Sequence, residues 1–138
     1  MIHSILHQAV KLSSLMNKSQ AIQAFWESFK IPAYDELTVP DNAPFPYITY
    51  NVKTDSIGNI CLMSASIWYR STSWKEVSDK AEEIAEYIVK MTPPSIEIDN
   101  GRLYISKGTP FAQRMSEPSD DMVRRIYINI NAEFLTAY

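Results

Sequence analysis

Apolar residues recur at helical spacing across residues 1–30. Ile2, Ile5, Leu6, Ala9, Leu12 and Met16 follow steps of three and four, and Ile22, Phe25, Trp26 and Phe29 resume them. Between the two runs lies Asn17-Lys18-Ser19-Gln20, where Asn17 is placed to cap a second helix and Gln20 to reach back to it. The pattern therefore favours two short helices over one bent one. Pro32 ends this helical N-terminal region, and Pro40, Pro44 and Pro46 make Ile31–Pro46 extended but irregular, because proline lacks a donor and restrains its neighbour.

Alternation takes over at Tyr47–Lys53, a strand, followed by a turn at Asp55–Asn59 and a second strand at Ile60–Tyr69. In the latter, Cys61, Met63, Ala65, Ile67 and Tyr69 share the expected core face, with Leu62, Ser64, Ser66 and Trp68 opposite. Ser73-Trp74-Lys75-Glu76 reads as a capping box opening an amphipathic helix. Its apolar stripe is Trp74, Val77, Ala81, Ile84, Ala85 and Ile88, with Lys75, Lys80, Glu82, Glu83 and Glu86 on the wet side.

Asn100-Gly101 predicts a two-residue turn within a hairpin over Ser95–Ser106, pairing Asp99 with Arg102, Ile98 with Leu103, Glu97 with Tyr104 and Ile96 with Ile105. Residues 108–121 show no helical or strand period and carry two prolines, so a flexible loop is expected there. Met122–Phe134 then alternates strictly, with Arg124, Ile126, Ile128, Ile130, Ala132 and Phe134 on one face and Arg125, Tyr127, Asn129, Asn131 and Glu133 on the other. The expected fold is a single α+β domain over 1–138. It has a mainly antiparallel sheet of four to five strands, the helical N-terminal region, and one central amphipathic helix packed on the sheet.

That last strand is long for such a domain. At ~3.3 Å per residue it spans ~43 Å, against a diameter near ~37 Å for a compact chain of this size. Two outcomes are expected: a bulge bends it, or part of it projects and pairs with another subunit. Trp68, Tyr47, Tyr104 and Tyr127 fall opposite the apolar stripes, and aromatics and arginines are the residue types enriched at interface hot spots. They become core instead if helices cover both sheet faces.

Composition narrows the function classes. A net charge of −3 and a pI near 5.3 argue against nucleic acid as a primary partner. A lone cysteine, no long apolar run and no signal-peptide pattern make cytoplasmic folding without a membrane partner the expectation. His3 and His7 are four apart but lack further ligands nearby in sequence, so exposed helix histidines are favoured over a metal pair. Cys61 falls on an apolar strand face without a base beside it, and the three glycines build no phosphate loop. No catalytic residue, metal site or cofactor is assigned. Arg124-Arg125 is the one concentrated positive feature, weighed equally as an inter-subunit ion pair with a neighbour's Asp120-Asp121 and as a solvated strand start.

Four segments together resemble the small tail-terminator (tail-completion) proteins of long-tailed bacteriophages and prophages: PFPYITY at Pro44–Tyr50, SIWYRSTSWKEV at Ser66–Val77, GTPFAQRM at Gly108–Met115 and RRIYINI at Arg124–Ile130. The resemblance implies a structural virion protein with no enzymatic role. Its copies form a ring, usually of six, on the head-proximal end of the tail tube, stopping polymerisation and joining head to tail. The implied partners are further copies of the chain, the tail tube protein, a head-completion or connector protein, and DNA only as passing cargo. The implied place is the neck end of the virion tail, after assembly in the host cytoplasm. Motif position puts subunit contacts at Trp68, Tyr69, Arg70, Arg124 and Arg125, and a tube- or head-facing contact at Phe111, Gln113 and Arg114. The competing readings are another neck or head-completion connector and, more distantly, a small ligand-binding or regulatory module.

Overall fold

A computed structural model describes residues 15–54 and 60–136, with Thr54, Ile60–Leu62 and Thr136 described by backbone alone. The fold is α+β. Two helices, α1 (Lys18–Glu27) and α2 (Lys75–Lys90), accompany six strands: β1 (Ala33–Asp35), β2 (Tyr47–Thr54), β3 (Ile60–Arg70), β4 (Ser95–Ile98), β5 (Gly101–Met115) and β6 (Val123–Thr136). They form one sheet in the order β1-β2-β3-β6-β5-β4. The expectation of four to five antiparallel strands is corrected to six strands in a mixed sheet, because the three residues of β1 run parallel to β2. A strand that short leaves no period to read.

The predicted cap of α1 is present. Gln20 N–H donates to Asn17 Oδ1 at 2.9 Å, and Asn17 N–H donates to Gln20 Oε1 at 3.0 Å. Ala21, Ile22, Phe25 and Trp26 face inward, and Trp26 stacks on Tyr50 of β2 with ring centroids 6.4 Å apart. The earlier helical run, His3, His7 and the turn at 55–59 lie outside the described residues, as does the side chain of Cys61.

Helix α2 buries Val77, Ala81, Ile84 and Ile88, as its spacing requires, but two details of its reading are corrected. Ser73 Oγ accepts from Lys75 N–H, two residues on, at 3.0 Å, so no capping box forms and Trp74 occupies the cap position without a side-chain bond. Lys80 is not on the wet side: its ammonium is largely covered and donates to Phe29 O at 2.9 Å.

The hairpin keeps a two-residue loop but places it one residue earlier than expected: Ile98 opposes Gly101, Ile96 opposes Leu103 and Glu97 opposes Arg102, with Asp99-Asn100 as the loop. The apolar pattern cannot separate the two registers. They differ by two residues in pairing, and the side-chain period is also two. Tertiary structure separates them, since Asp99 N–H donates to Met16 O at 2.9 Å and Asn100, not Gly101, takes positive φ (70°).

The loop expected over 108–121 is corrected to strand as far as Met115. Lys107 pairs with Ile130 and Ala112 with Ile128, so residues 108–111 of β5 lie opposite the single residue Asn129. This bulge reverses which residues face the core: Leu103 and Ile105 before it, Arg114 after it, opposite Ile126. A strand whose phase flips midway has no continuous period. Gly108 makes the close passage possible, because a Cβ there would stand 2.8 Å from both Asn129 Cβ and Asn129 O.

The last strand meets neither of its two expected outcomes, a bulge of its own or a projecting end that pairs with another subunit. β6 is central, paired with β3 from Val123 to Glu133 and with β5 on its other side, and its buried face is Ile126, Ile128, Ile130, Ala132 and Phe134 as predicted. The bulge is in β5. The unpaired edge is β5 too, because β4 pairs only with Gly101–Tyr104.

Candidate functional site: an uncovered sheet face and its edge

Both described helices contribute to one core with the inner face of the sheet. The opposite face is uncovered among the described residues, so Trp68, Tyr47, Tyr104 and Tyr127 remain partly or largely exposed on it. Register places one transverse row as Tyr34, Thr49, Ser66, Tyr127 and Gln113, and the next as Tyr47, Trp68, Arg125 and Met115.

An aromatic ladder runs along the second row. Tyr47 stacks on Trp68 at 6.1 Å with the rings 18° apart, Tyr34 and Phe45 meet the Tyr47 ring at 6.1 and 5.3 Å, and the Arg125 guanidinium lies 4.7 Å from the Trp68 centroid. Hydrogen bonds orient both ends. Trp68 Nε1–H donates to Thr49 Oγ1 and Arg125 Nε–H donates to Ser66 Oγ, each at 2.9 Å. Partial burial, and then the neighbouring Tyr34, raise the Tyr47 phenol above its ordinary pKa, so it stays a neutral donor.

On the helix side of the same end, Trp74 is flanked by two guanidiniums, Arg114 at 4.9 Å and Arg124 at 5.5 Å from its centroid. Arg124 also donates to Asp121 O at 2.6 Å, and its Nε is buried without a hydrogen-bond partner among the described residues. Tyr69 lies opposite Arg124; burial first, then Glu76 and Glu83, raise its phenol. Arg70 pairs with Asp120 of its own chain.

Seven of the residues singled out from the sequence are thereby gathered at one end of β3, β5 and β6: Trp68, Arg125 and Gln113 on the uncovered face, Tyr69, Arg124 and Arg114 on the helix face, and Arg70 at the strand end. Phe111 sits apart in the bulge. There it lines, with Ala81, Ala85, Ala112 and Arg114, a groove of about 430 Å³ between α2 and β5. Sequence reasoning took Trp74 as one more apolar helix position, passed over Thr49 and the bonding role of Ser66, and offered Asp120 as a partner for a neighbour's arginines, whereas it pairs with Arg70 of its own chain. Pairing of a tryptophan with arginines far away in the chain leaves no local signal.

Among the described residues no cluster of three or more His, Cys, Asp or Glu could hold a metal ion, and no helix is long and apolar enough to cross a membrane. What this end of the sheet offers is planar aromatic and guanidinium surface of the kind that anchors protein contacts. No family model and no curated protein matches the sequence.

Proposed function

We propose that the protein is a structural subunit that forms a ring, of six copies in the expected form, at the head-proximal end of a phage tail tube. There it ends tube polymerisation and offers a surface for a head-completion or connector protein. One observation carries the reading. The four segments that resemble tail terminators, scattered between Pro44 and Ile130, each include part of one of four adjacent strands, β2, β3, β6 and β5, at one end of the sheet, and the second also runs on into α2. Within the strands, alternate side chains of these segments, among them Tyr47, Thr49, Trp68, Gln113, Arg125 and Tyr127, lie on the uncovered face, where building a core does not require them.

In this role the Tyr47–Trp68–Arg125 ladder and the Arg114–Trp74–Arg124 cluster supply rigid contact surface, and Phe111, Gln113 and Arg114 on the arm of β5 reach towards tube or head. DNA is cargo only, and the mildly acidic chain suits a lumen to which DNA does not adhere. Deleting the gene from its source phage or prophage, inducing, and imaging the particles tests the reading. Unattached tails of uncontrolled length beside full heads are the expected result. Tails of normal length but detached from heads move the protein to the connector, and normal infectious particles overturn the reading. Alanine at Phe111 and Arg114 is expected to impair tail assembly; intact assembly removes the arm from the contact.

A further inference from the structure

At the level of the Tyr34–Gln113 row the sheet is five strands wide, and its two margins are unlike. One margin is β1, leading into the loop before β2. There Leu37 is 88% exposed, the most exposed of the large apolar side chains among the described residues. The loop tip is braced: Leu37 N–H donates to Asp35 Oδ1, Thr38 N–H to Asp35 O and Glu36 N–H to Tyr50 O, each at 2.9 Å. This margin carries Asp35, Glu36 and Asp41 and no Lys or Arg between Ile31 and Pro46.

The other margin is the outer segment of β5, from Ser106 to Met115, left unpaired because β4 stops at Tyr104. This segment carries Lys107 and Arg114 and no acid. Behind it lies the groove against α2, floored by small side chains at Ala81, Ala85 and Ala112, with Glu82 of α2 and Arg114 of β5 also on its wall. Lys107, Pro110 and the bulge protect this edge against indiscriminate strand addition. The groove and the positive charge remain available.

We infer that these two margins are complementary halves of a head-to-tail contact between copies of this chain, in which Leu37 of one copy seats in the α2–β5 groove of the next. An acidic margin with an apolar knob meets a strand edge that carries Lys107 and Arg114 and a groove floored by alanines. Because knob and groove lie on opposite sides of the sheet, the contact is heterologous and each copy keeps one of each free for the next neighbour. The inference rests on the ring reading and specifies how the ring is built.

The test uses the full chain. Sedimentation of wild type and Leu37→Asp reads the contact directly, and since Leu37 is almost fully exposed the variant keeps the wild-type melting temperature. Removing the knob is expected to weaken self-association at least about tenfold, and added salt is expected to weaken the wild type. In a Cys61→Ser background, Leu37→Cys and Ala85→Cys chains are expected to form disulfides when mixed and oxidised, each alone giving none. Association undiminished in Leu37→Asp, with no disulfide between positions 37 and 85, overturns the inference and leaves a ring built through other surfaces. A chain that does not associate at any concentration and forms no cross-link also overturns it, the ring reading then being decided separately by tail lengths.

Discussion

Trp68 lies directly across from Arg125, the guanidinium 4.7 Å from the indole centroid. The pair sits on a sheet face with no described helix above it, so its order comes from the residues themselves. Thr49 Oγ1 accepts a hydrogen bond from the indole N–H and Ser66 Oγ accepts one from Arg125 Nε–H.

Arg125→Ala, Trp68→Ala and the double variant form a thermodynamic cycle, with an expected coupling of about 0.5–2 kcal/mol by denaturant unfolding. Arg125→Lys is expected to recover little of it, since an ammonium neither stacks flat on the indole nor reproduces the bond to Ser66. A coupling indistinguishable from zero would mean that the stack is incidental.

Gly108→Ala is expected to destabilise the fold by about 1–3 kcal/mol. The new methyl would meet Asn129 Cβ and Asn129 O, both at 2.8 Å, and neither can rotate away. The loss is read from the urea midpoint at unchanged slope. An unaltered midpoint would show that the bulge relaxes freely.

Asp120 introduces a pH dependence whose sign can be worked out. The Met122 amide first, then Arg70, hold its carboxyl below the usual aspartate range. The unfolded chain therefore takes up the proton more readily, and stability rises with pH where the two states differ. The contribution is complete above the ordinary aspartate pKa of about 3.9 and is lost as pH falls through the lower folded value. Melting temperature followed across the acid range is expected to fall less steeply in Asp120→Asn than in wild type. Parallel curves would remove Asp120 from the acid response.

At the start of α1, Asn17→Ala is expected to cost about 0.5–2 kcal/mol, because it leaves the Gln20 amide without its acceptor, while the backbone N–H at position 17 still has Gln20 Oε1 to donate to. Asn17→Ser, which keeps an oxygen acceptor, is expected to recover most of the loss in thermal unfolding. Equal losses for both variants would place the effect elsewhere.

Local periodicity was enough to read α1 and its cap, α2 and its buried stripe, β2, β3 and the inward face of β6. In each, one run of residues answers to one continuous environment, and the period follows from backbone geometry. The same reasoning placed Trp68 and Arg125 on the face opposite the core. It could not show that they stack, since their proximity depends on strands far apart in the chain.

What only the tertiary structure decided depends on partners distant in sequence. Two hairpin registers share the same buried face, and the Asp99–Met16 bond separates them. Lys80 is polar by composition and covered by position, its ammonium donating a hydrogen bond to Phe29 O. The second half of β5 reads as a loop because the bulge opposite Asn129 inverts its phase. The position of β6 inside the sheet, and with it the transfer of the open edge to β5, follows from strand order. Hydrophobic alternation determines which way a side chain points from a strand; which strand lies beside it is set by packing over the whole chain.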